Sequence, residues 1–237
     1  MTRWWMVVLY AAAMAWVEAA AVYYLRLKID RVEPYQVAPL NDVGAFGWVE
    51  LVREFATLIM LCVTGFLAGR SWRTRCGYFA IAFGVWDLGY YGFLKIICGW
   101  PHSWLDWDVL FLLPLPWWGP VLAPSLISVL MIIWGSLASQ FQTPHYPARA
   151  QVRGWALALA GMLLALFVFM ADSLAAASRG WEAACAILPA RFNWPLFGVA
   201  WLLMAAPVLQ MFGRWPSMRE AGTGADKKTP SKDASQT

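Results

Sequence analysis

The chain has 237 residues, of which 61% are hydrophobic and only 14% are charged. Soluble domains carry about 25% charged residues, so this composition predicts an integral membrane protein and excludes an ordinary soluble domain. The formal net charge of +4 does not indicate nucleic-acid binding, because the cations stand in short loops and at the tail. They form no basic stripe with interleaved aromatic residues of the kind that binds nucleic acid.

Six apolar runs follow one another along the chain, each near the ~20 residues that cross a hydrocarbon core. They cover Trp4–Leu25, Val49–Leu67, Gly77–Cys98, Gly119–Ala138, Trp155–Ala177 and Trp194–Phe212. In lipid the backbone must satisfy its own hydrogen bonds, so each run predicts a helix. We therefore expect an all-α integral membrane fold with six transmembrane helices in one domain at residues 1–213. A disordered basic cytoplasmic tail is expected at residues 214–237.

The distribution of Lys and Arg predicts the orientation of these helices. Arg3, the loops 70–75 and 149–153 and the basic tail fall on one side of the membrane. The cations on the other side are diluted by acidic residues. Both termini are therefore expected in the cytoplasm, with the protein in a bacterial inner membrane.

Two questions about covalent processing stay open. The first run resembles a signal peptide with a small-residue cleavage site at Ala13–Ala15, but it continues to Leu25, which favours an uncleaved anchor. Cys98 and Cys185 both fall near the outer face, where an oxidising compartment permits a disulfide without requiring one.

Charges inside the apolar runs are the strongest functional signal, since each costs ~2.5–3.5 kcal/mol on insertion scales. Glu18 lies about two-thirds across the first run. In the second run Glu50, Arg53 and Glu54 are spaced i, i+3 and i+4, so they share one helix face near the outer end. The alternative for this group is an ion-pair cap at the water boundary.

The third run places Asp87, Tyr91 and Lys95 on one ridge, at i, i+4 and i+8. Asp87 lies close to the middle of the run, where a short side chain does not reach water. A site is the default interpretation of an intramembrane ionisable group. The alternative is a structural salt bridge, either to Lys95 or to Arg53 on the neighbouring helix.

The segment 108–124 is apolar but unusually rich in proline. Its prolines remove amide donors and fix φ, so a regular helix through the segment is not expected. The first interpretation is a broken or re-entrant segment before helix 4 that walls a pocket. The second is an interfacial turn that starts helix 4 late. Trp107, Trp117 and Trp118 flank this segment and are candidates for a pocket wall, whereas Trp100 is interpreted as part of an interfacial aromatic belt.

Depth along the helices places these groups in one polar chamber in the outer half of the membrane. The candidate ligand-binding residues are Glu18, Glu50, Arg53, Glu54, Asp87, Tyr91, Lys95, Asp108, Trp107 and Trp117. No metal site is expected, because a catalytic metal usually needs three protein ligands and the chain has only two His, on opposite sides. No cofactor is indicated.

The sequence predicts a protein that binds or transports a small molecule through this outward-facing pocket. Asp87 is expected to carry a proton or to contact a cation. One alternative is a membrane-embedded enzyme with a carboxylate as general base and Lys95 as electrostatic stabiliser. Another is an accessory subunit, whose charges face outward to meet a partner helix. Assembly with copies of the same chain or with other subunits stays open, and lipid is the one certain neighbour.

Four motifs resemble a family of uncharacterised bacterial polytopic inner-membrane proteins. These are V-E-A-A-A-V-Y-Y-L-R (17–26), E-L-V-R-E-F-A-T-L (50–58), F-G-V-W-D-L-G-Y-Y (83–91) and W-D-V-L-F-L-L-P-L-P-W-W-G-P-V-L-A-P (107–124). The resemblance implies the same topology and singles out the same residues, but it implies no activity. The shorter pattern P-x-P-W-W-G-P-V is similar to the tryptophan-rich sensory proteins, which bind porphyrins, although this chain has six runs rather than five.

Overall fold

A computed structural model describes residues 2–29, 33–35, 44–112, 115–141, 148–180, 183, 187–189 and 191–212. Its helices and strands are α1 (Thr2–Lys28), α2 (Gly44–Ala68), α3 (Trp72–Cys98), β1 (Trp107–Phe111), β2 (Trp117–Pro120), α4 (Leu122–Gln140), α5 (Ala148–Ala177), α6 (Trp194–Met204) and α7 (Ala206–Phe212).

Within the described residues, six helical stretches are long and apolar enough to cross a membrane. Five belong to α1–α5, and the sixth, Trp194–Met211, combines α6 with α7. The prediction of six such helices is confirmed. The predicted tail at 214–237 lies outside the described residues.

Helix α3 packs against α1, α2 and α4, and small residues set the close approach to its neighbours. A Cβ added to Gly84 would lie 2.5 Å from the carbonyl oxygen of Ser128 on α4. A Cβ added to Gly135 on α4 would lie 2.4 Å from the carbonyl oxygen of Gly77 on α3. On the α1 side, a Cβ on Gly89 would lie 2.8 Å from the Cβ of Ala15. These contacts hold α1 and α4 tightly against α3, so polar side chains on the three helices come within reach of one another.

The helices α5 and α6 pack through a separate apolar cluster. Phe169 and Phe197 are buried there, with ring centroids 5.8 Å apart. A Cβ on Gly161 would lie 2.6 Å from the carbonyl oxygen of Ala200, so these two helices also approach closely. The cluster contains no charged side chain.

The proline-rich segment forms an antiparallel β-hairpin, so the all-α prediction was wrong at this point. Trp107 pairs with Pro120, Asp108 with Gly119, and Val109 with Trp118, and the register becomes irregular between Val109 and Phe111. The prolines exclude a helix, while the aromatic and β-branched residues between them favour extended backbone. Sequence periodicity did not reveal strands because the segment is apolar throughout and lacks alternation.

A two-stranded hairpin is marginal on its own, so contacts to the helices hold this one in place. The backbone N–H of Val121 donates to Asp106 O at 2.9 Å, and that of Leu122 donates to Trp104 O at 2.8 Å. From α5, the hydroxyl of Ser173 donates to Pro116 O at 2.8 Å. The hairpin is thereby fixed between the start of α4 and the side of α5.

Candidate functional site

Arg53 on α2 lies between two carboxylates. Its Nε and Nη2 both contact Glu50 Oε2 at 2.8 Å, and its Nη1 pairs with Glu18 Oε1 on α1. The second oxygen of Glu18 accepts a hydrogen bond from the hydroxyl of Thr57 at 3.2 Å. The spacing in the sequence placed Glu50, Arg53 and Glu54 on one helix face, and of the two glutamates Glu50 pairs with Arg53 while the packing of α1 on α2 adds Glu18.

Glu54, one residue further along α2, binds the hairpin. Its Oε2 accepts the backbone N–H of Leu112 at 3.1 Å, directly after the end of β1. Glu54 is buried. This bond satisfies an amide that the broken strand pairing leaves without a partner, so Glu54 connects α2 to the hairpin.

Arg26, in the last turn of α1, forms a buried ion pair with the hairpin. Its Nη2 lies 3.0 Å from Asp108 Oδ1 and donates to the hydroxyl of Tyr90 at 3.2 Å. The guanidinium carbon lies 4.3 Å from the centroid of the Trp100 ring. Arg26 therefore joins α1, α3 and β1 at one point.

Asp108 lies outside the six apolar helices and is only 1% exposed. Burial raises the pKa of its carboxyl from the ordinary 3.8 to about 6, because the ionised form loses its water. The Arg26 guanidinium, the N–H of Val109 and the nearby Tyr91 act in the opposite direction and do not overcome the burial. Asp108 is thus ionised at neutral pH but takes up a proton in mild acid.

Asp87 contacts α4 rather than a cation. Its Oδ2 accepts a hydrogen bond from the buried hydroxyl of Ser128 at 2.8 Å. The close approach of Gly84 to the Ser128 backbone, one turn away, sets this distance. Within the described residues, no Lys or Arg forms a salt bridge with Asp87.

Tyr90 lies among these groups, since its hydroxyl accepts a hydrogen bond from Arg26, and Arg53, Asp87 and Asp108 are near enough to act on it electrostatically. We call this set of neighbouring groups the carboxylate network. It consists of Glu18, Arg26, Glu50, Arg53, Glu54, Asp87, Tyr90, Tyr91 and Asp108, with Thr57 and Ser128 as hydroxyl donors.

The network brings together seven of the ten predicted site residues and leaves out three. Lys95 is exposed, and its Nζ donates to Gly99 O at 2.9 Å and Pro101 O at 2.8 Å, where it caps the end of α3. Trp107 stacks on Tyr35, with ring centroids 6.1 Å apart, in a separate aromatic cluster.

Trp117 also lies apart from the charged groups, since its ring packs 5.1 Å from that of Phe111. Its indole N–H is buried and has no acceptor within the described residues. Trp117 therefore belongs to the apolar packing beneath the hairpin.

Sequence reasoning missed Arg26 and Trp100 as members of the site. Arg26 was counted with the outer-loop cations and Trp100 with the aromatic belt, whereas Trp100 is only 2% exposed and faces Arg26. The belt interpretation of Trp100 was wrong because the chain after α3 folds back against α1. The sequence gives only a weak signal for this contact. Arg26 lies in the last turn of α1, and Trp100 follows directly after the end of α3.

The described residues include no group of three or more His, Cys, Asp or Glu that could hold a metal ion. His102 instead faces Glu33, with Nε2 and Oε1 3.2 Å apart, and both side chains are exposed. Cys98 donates its thiol to Leu94 O at 3.2 Å. Cys98 is a free cysteine in the structure, and Cys185, the other half of the disulfide that the sequence left open, lies outside the described residues.

Comparison of the chain with protein-family models, with curated proteins and with solved structures gives no match. The resemblance to a bacterial polytopic family therefore stays a prediction from the four motifs.

Proposed function

We propose that the chain is a multi-pass protein of the bacterial inner membrane that binds a small molecule at the carboxylate network and transports it. In this proposal the carboxyl groups of the network exchange protons as the molecule moves. Both termini lie in the cytoplasm, as the Lys and Arg distribution favours. The hairpin is a re-entrant wall on the outer side, and its backbone contacts to α4 and α5 support this role, because non-helical backbone at membrane depth must be buried in protein.

The observation that carries the proposal is the charge imbalance of the network. Among the described residues it contains five carboxyl groups and two guanidinium groups. If all were ionised, five negative and two positive charges would leave three negative charges uncompensated, in a region where Glu18, Glu54 and Asp108 are buried and Glu50 and Asp87 are partly buried. Such charges are strongly unfavourable away from water, so the network has to hold protons or bind a cation.

Asp87 is the best placed carboxyl for holding a proton. Its partner at 2.8 Å is the neutral hydroxyl of Ser128, whereas Glu18, Glu50 and Asp108 each contact a guanidinium group. A hydroxyl can rotate to accept a hydrogen bond when the carboxyl becomes protonated. Asp87 can therefore gain and lose a proton without leaving a buried group unpaired.

Burial favours this proposal over the accessory-subunit alternative. That alternative requires charges that face outward from the bundle, but Glu18, Arg26, Glu54 and Asp108 are all buried within it. The enzyme alternative used Lys95 as the electrostatic stabiliser. Lys95 is exposed at the end of α3, so no observation favours that reaction.

Infrared difference spectroscopy of the purified protein in lipid tests whether the network holds exchangeable protons. At neutral pH we expect the stretching band of a protonated carboxyl group, which shifts in heavy water before the helical amides exchange. Asp87→Asn should remove the Asp87 contribution to that band while leaving the fold intact. As a matched control, Asp106→Asn changes a partly exposed carboxylate in the loop before β1 that accepts the N–H groups of His102 and Ser103, so it should leave the band unchanged.

A spectrum without a protonated carboxyl band in the wild-type protein would contradict proton exchange at the network, because every carboxyl would then be ionised. A band that persists unchanged in Asp87→Asn would exclude Asp87 as the proton carrier.

A further inference from the structure

The guanidinium group of Arg26 contacts the Trp100 ring, the Tyr90 hydroxyl and the Asp108 carboxylate, and Tyr91 packs against both aromatic rings. Besides the Trp100 ring at 4.3 Å, the Tyr91 ring lies 6.2 Å from Trp100 and 5.1 Å from Tyr90 between centroids. Asp108 closes the remaining side through its ion pair with Arg26. We call Tyr90, Tyr91, Trp100 and Asp108 the aromatic box.

This combination of groups suits an organic cation. The face of an aromatic ring carries partial negative charge and attracts a cation, most strongly when the site is desolvated, as in the cages that bind quaternary ammonium groups. Trp100, Tyr91 and Asp108 are each at most 5% exposed. Arg26 shows that a guanidinium group fits the box, since it contacts a ring face, a carboxylate and a hydroxyl at once.

The box also has capacity for another donor. Asp108 Oδ1 takes both the Arg26 contact and the N–H of Val109. Its Oδ2 is buried and has no donor in full hydrogen-bond geometry within the described residues, while the Tyr91 hydroxyl acts on the same carboxyl from α3. A buried carboxylate oxygen without a donor costs free energy. A ligand that brings N–H groups or positive charge would remove that cost.

Arg26 can leave the box without disruption of α1. It lies in the last turn, two residues before the helix ends at Lys28, and a long arginine side chain at a helix end can turn its charged group toward water. Its departure would add to the negative surplus of the network. An incoming cation would replace the positive charge of Arg26, so the exchange would leave the net charge of the network unchanged.

We infer that the ligand of the network is a small organic cation of the guanidinium or ammonium class, which binds in the aromatic box by displacing Arg26. The inference rests on the proposed function for its role in transport, but the binding site can be tested separately.

Acidification should release such a cation. Asp108 faces Arg26 from α1 and Asp87, Tyr90 and Tyr91 from α3, and its pKa is about 6. Above that pH the carboxylate attracts the cation, and below it the protonated carboxyl does not. Cation and proton therefore compete for the same group.

Calorimetric titration of the purified protein in lipid nanodiscs with methylguanidinium tests the inference, with uncharged methylurea as the probe of similar shape. The wild-type protein should bind methylguanidinium at neutral pH, lose affinity below a pH of about 6, and ignore methylurea. Trp100→Phe keeps a ring face and should bind within a few-fold of wild type. Trp100→Leu removes the ring and should weaken binding by about 10-fold. Arg26→Ala removes the resident cation and should bind more tightly.

Two results would overturn the inference. Binding by Arg26→Ala but not by the wild-type protein would show that Arg26 fills the box permanently as a structural group. Equal binding by Trp100→Phe and Trp100→Leu would place the cation elsewhere. A normal Asp87 infrared band together with either result would leave the proposed proton-holding function standing and reject only the ligand class.

Discussion

Replacement of Arg53 by Met removes the guanidinium group that contacts Glu18 and Glu50, while it keeps an unbranched apolar side chain about as long as the stem of the arginine. In the native protein Arg53 bonds Glu50 through Nε and Nη2 and pairs with Glu18 through Nη1. After the substitution, the described donor to these two carboxylates is the hydroxyl of Thr57. Two negative charges would then face each other across the α1–α2 contact.

The expected cost follows from the burial of the three groups. Removal of one partner from a fully buried ion pair destabilises a protein by roughly 3–5 kcal/mol, whereas exposed pairs contribute at most about 1 kcal/mol. The Arg53 side chain is 25% exposed, and those of Glu18 and Glu50 are 11% and 16% exposed. We therefore expect Arg53→Met to lower the free energy of unfolding by about 2–4 kcal/mol.

Reversible unfolding in mixed micelles, with the fraction of denaturing detergent increased stepwise and helicity followed by circular dichroism, measures this change. Arg53→Lys replaces the three nitrogen atoms that contact the carboxylates with one ammonium group, but it keeps the positive charge. It should therefore lower the free energy of unfolding less than Arg53→Met does. Adding Glu18→Gln to Arg53→Met should recover part of the loss, because one of the two opposed charges is gone. A stability of Arg53→Met within about 0.5 kcal/mol of wild type, or no recovery in the double variant, would refute the buried ion-pair geometry.

Two further substitutions test the contacts that position the network. Gly84→Ala should lower stability by about 1–3 kcal/mol, because its Cβ would lie 2.5 Å from Ser128 O, whereas Gly92→Ala meets nothing within 4 Å and should be neutral or stabilising. Equal midpoints of unfolding for these two variants would show that α3 and α4 do not approach as described. Glu54→Leu should cost about 1–3 kcal/mol, since it leaves the N–H of Leu112 without its acceptor, and Glu54→Gln should retain most of the stability by keeping an oxygen there. Limited proteolysis of the hairpin should rise in Glu54→Leu alone, and unchanged cleavage would count against the anchoring role.

The number of membrane-length helices could be predicted from the sequence because a bilayer imposes a minimum apolar length on each helix. The i, i+3 pairing of Glu50 with Arg53 was equally accessible, since helix geometry alone brings these two residues together. Such local rules need no knowledge of how the helices pack.

The remaining contacts of the site depend on tertiary packing. Glu18 meets Arg53 only because α1 lies against α2, and Asp87 meets Ser128 only because Gly84 lets α4 approach α3. Lys95 was expected to lie beside Asp87 on one face of α3. Its long side chain instead donates to the carbonyl groups of Gly99 and Pro101 after the end of the helix. The hairpin escaped prediction because proline excludes a helix without specifying what replaces it.

A direct measurement of proton movement in proteoliposomes shows whether the carboxylate network exchanges protons for a cation. Vesicles that contain the purified protein and a pH-sensitive dye are given an outward gradient of methylguanidinium, and the internal pH is recorded. The wild-type protein should draw protons inward as the cation leaves, Asp87→Asn should not, and a protonophore should abolish the signal. No pH change with the wild-type protein, or an equal change with Asp87→Asn, would contradict the exchange of methylguanidinium for protons at the carboxylate network with Asp87 as the proton carrier.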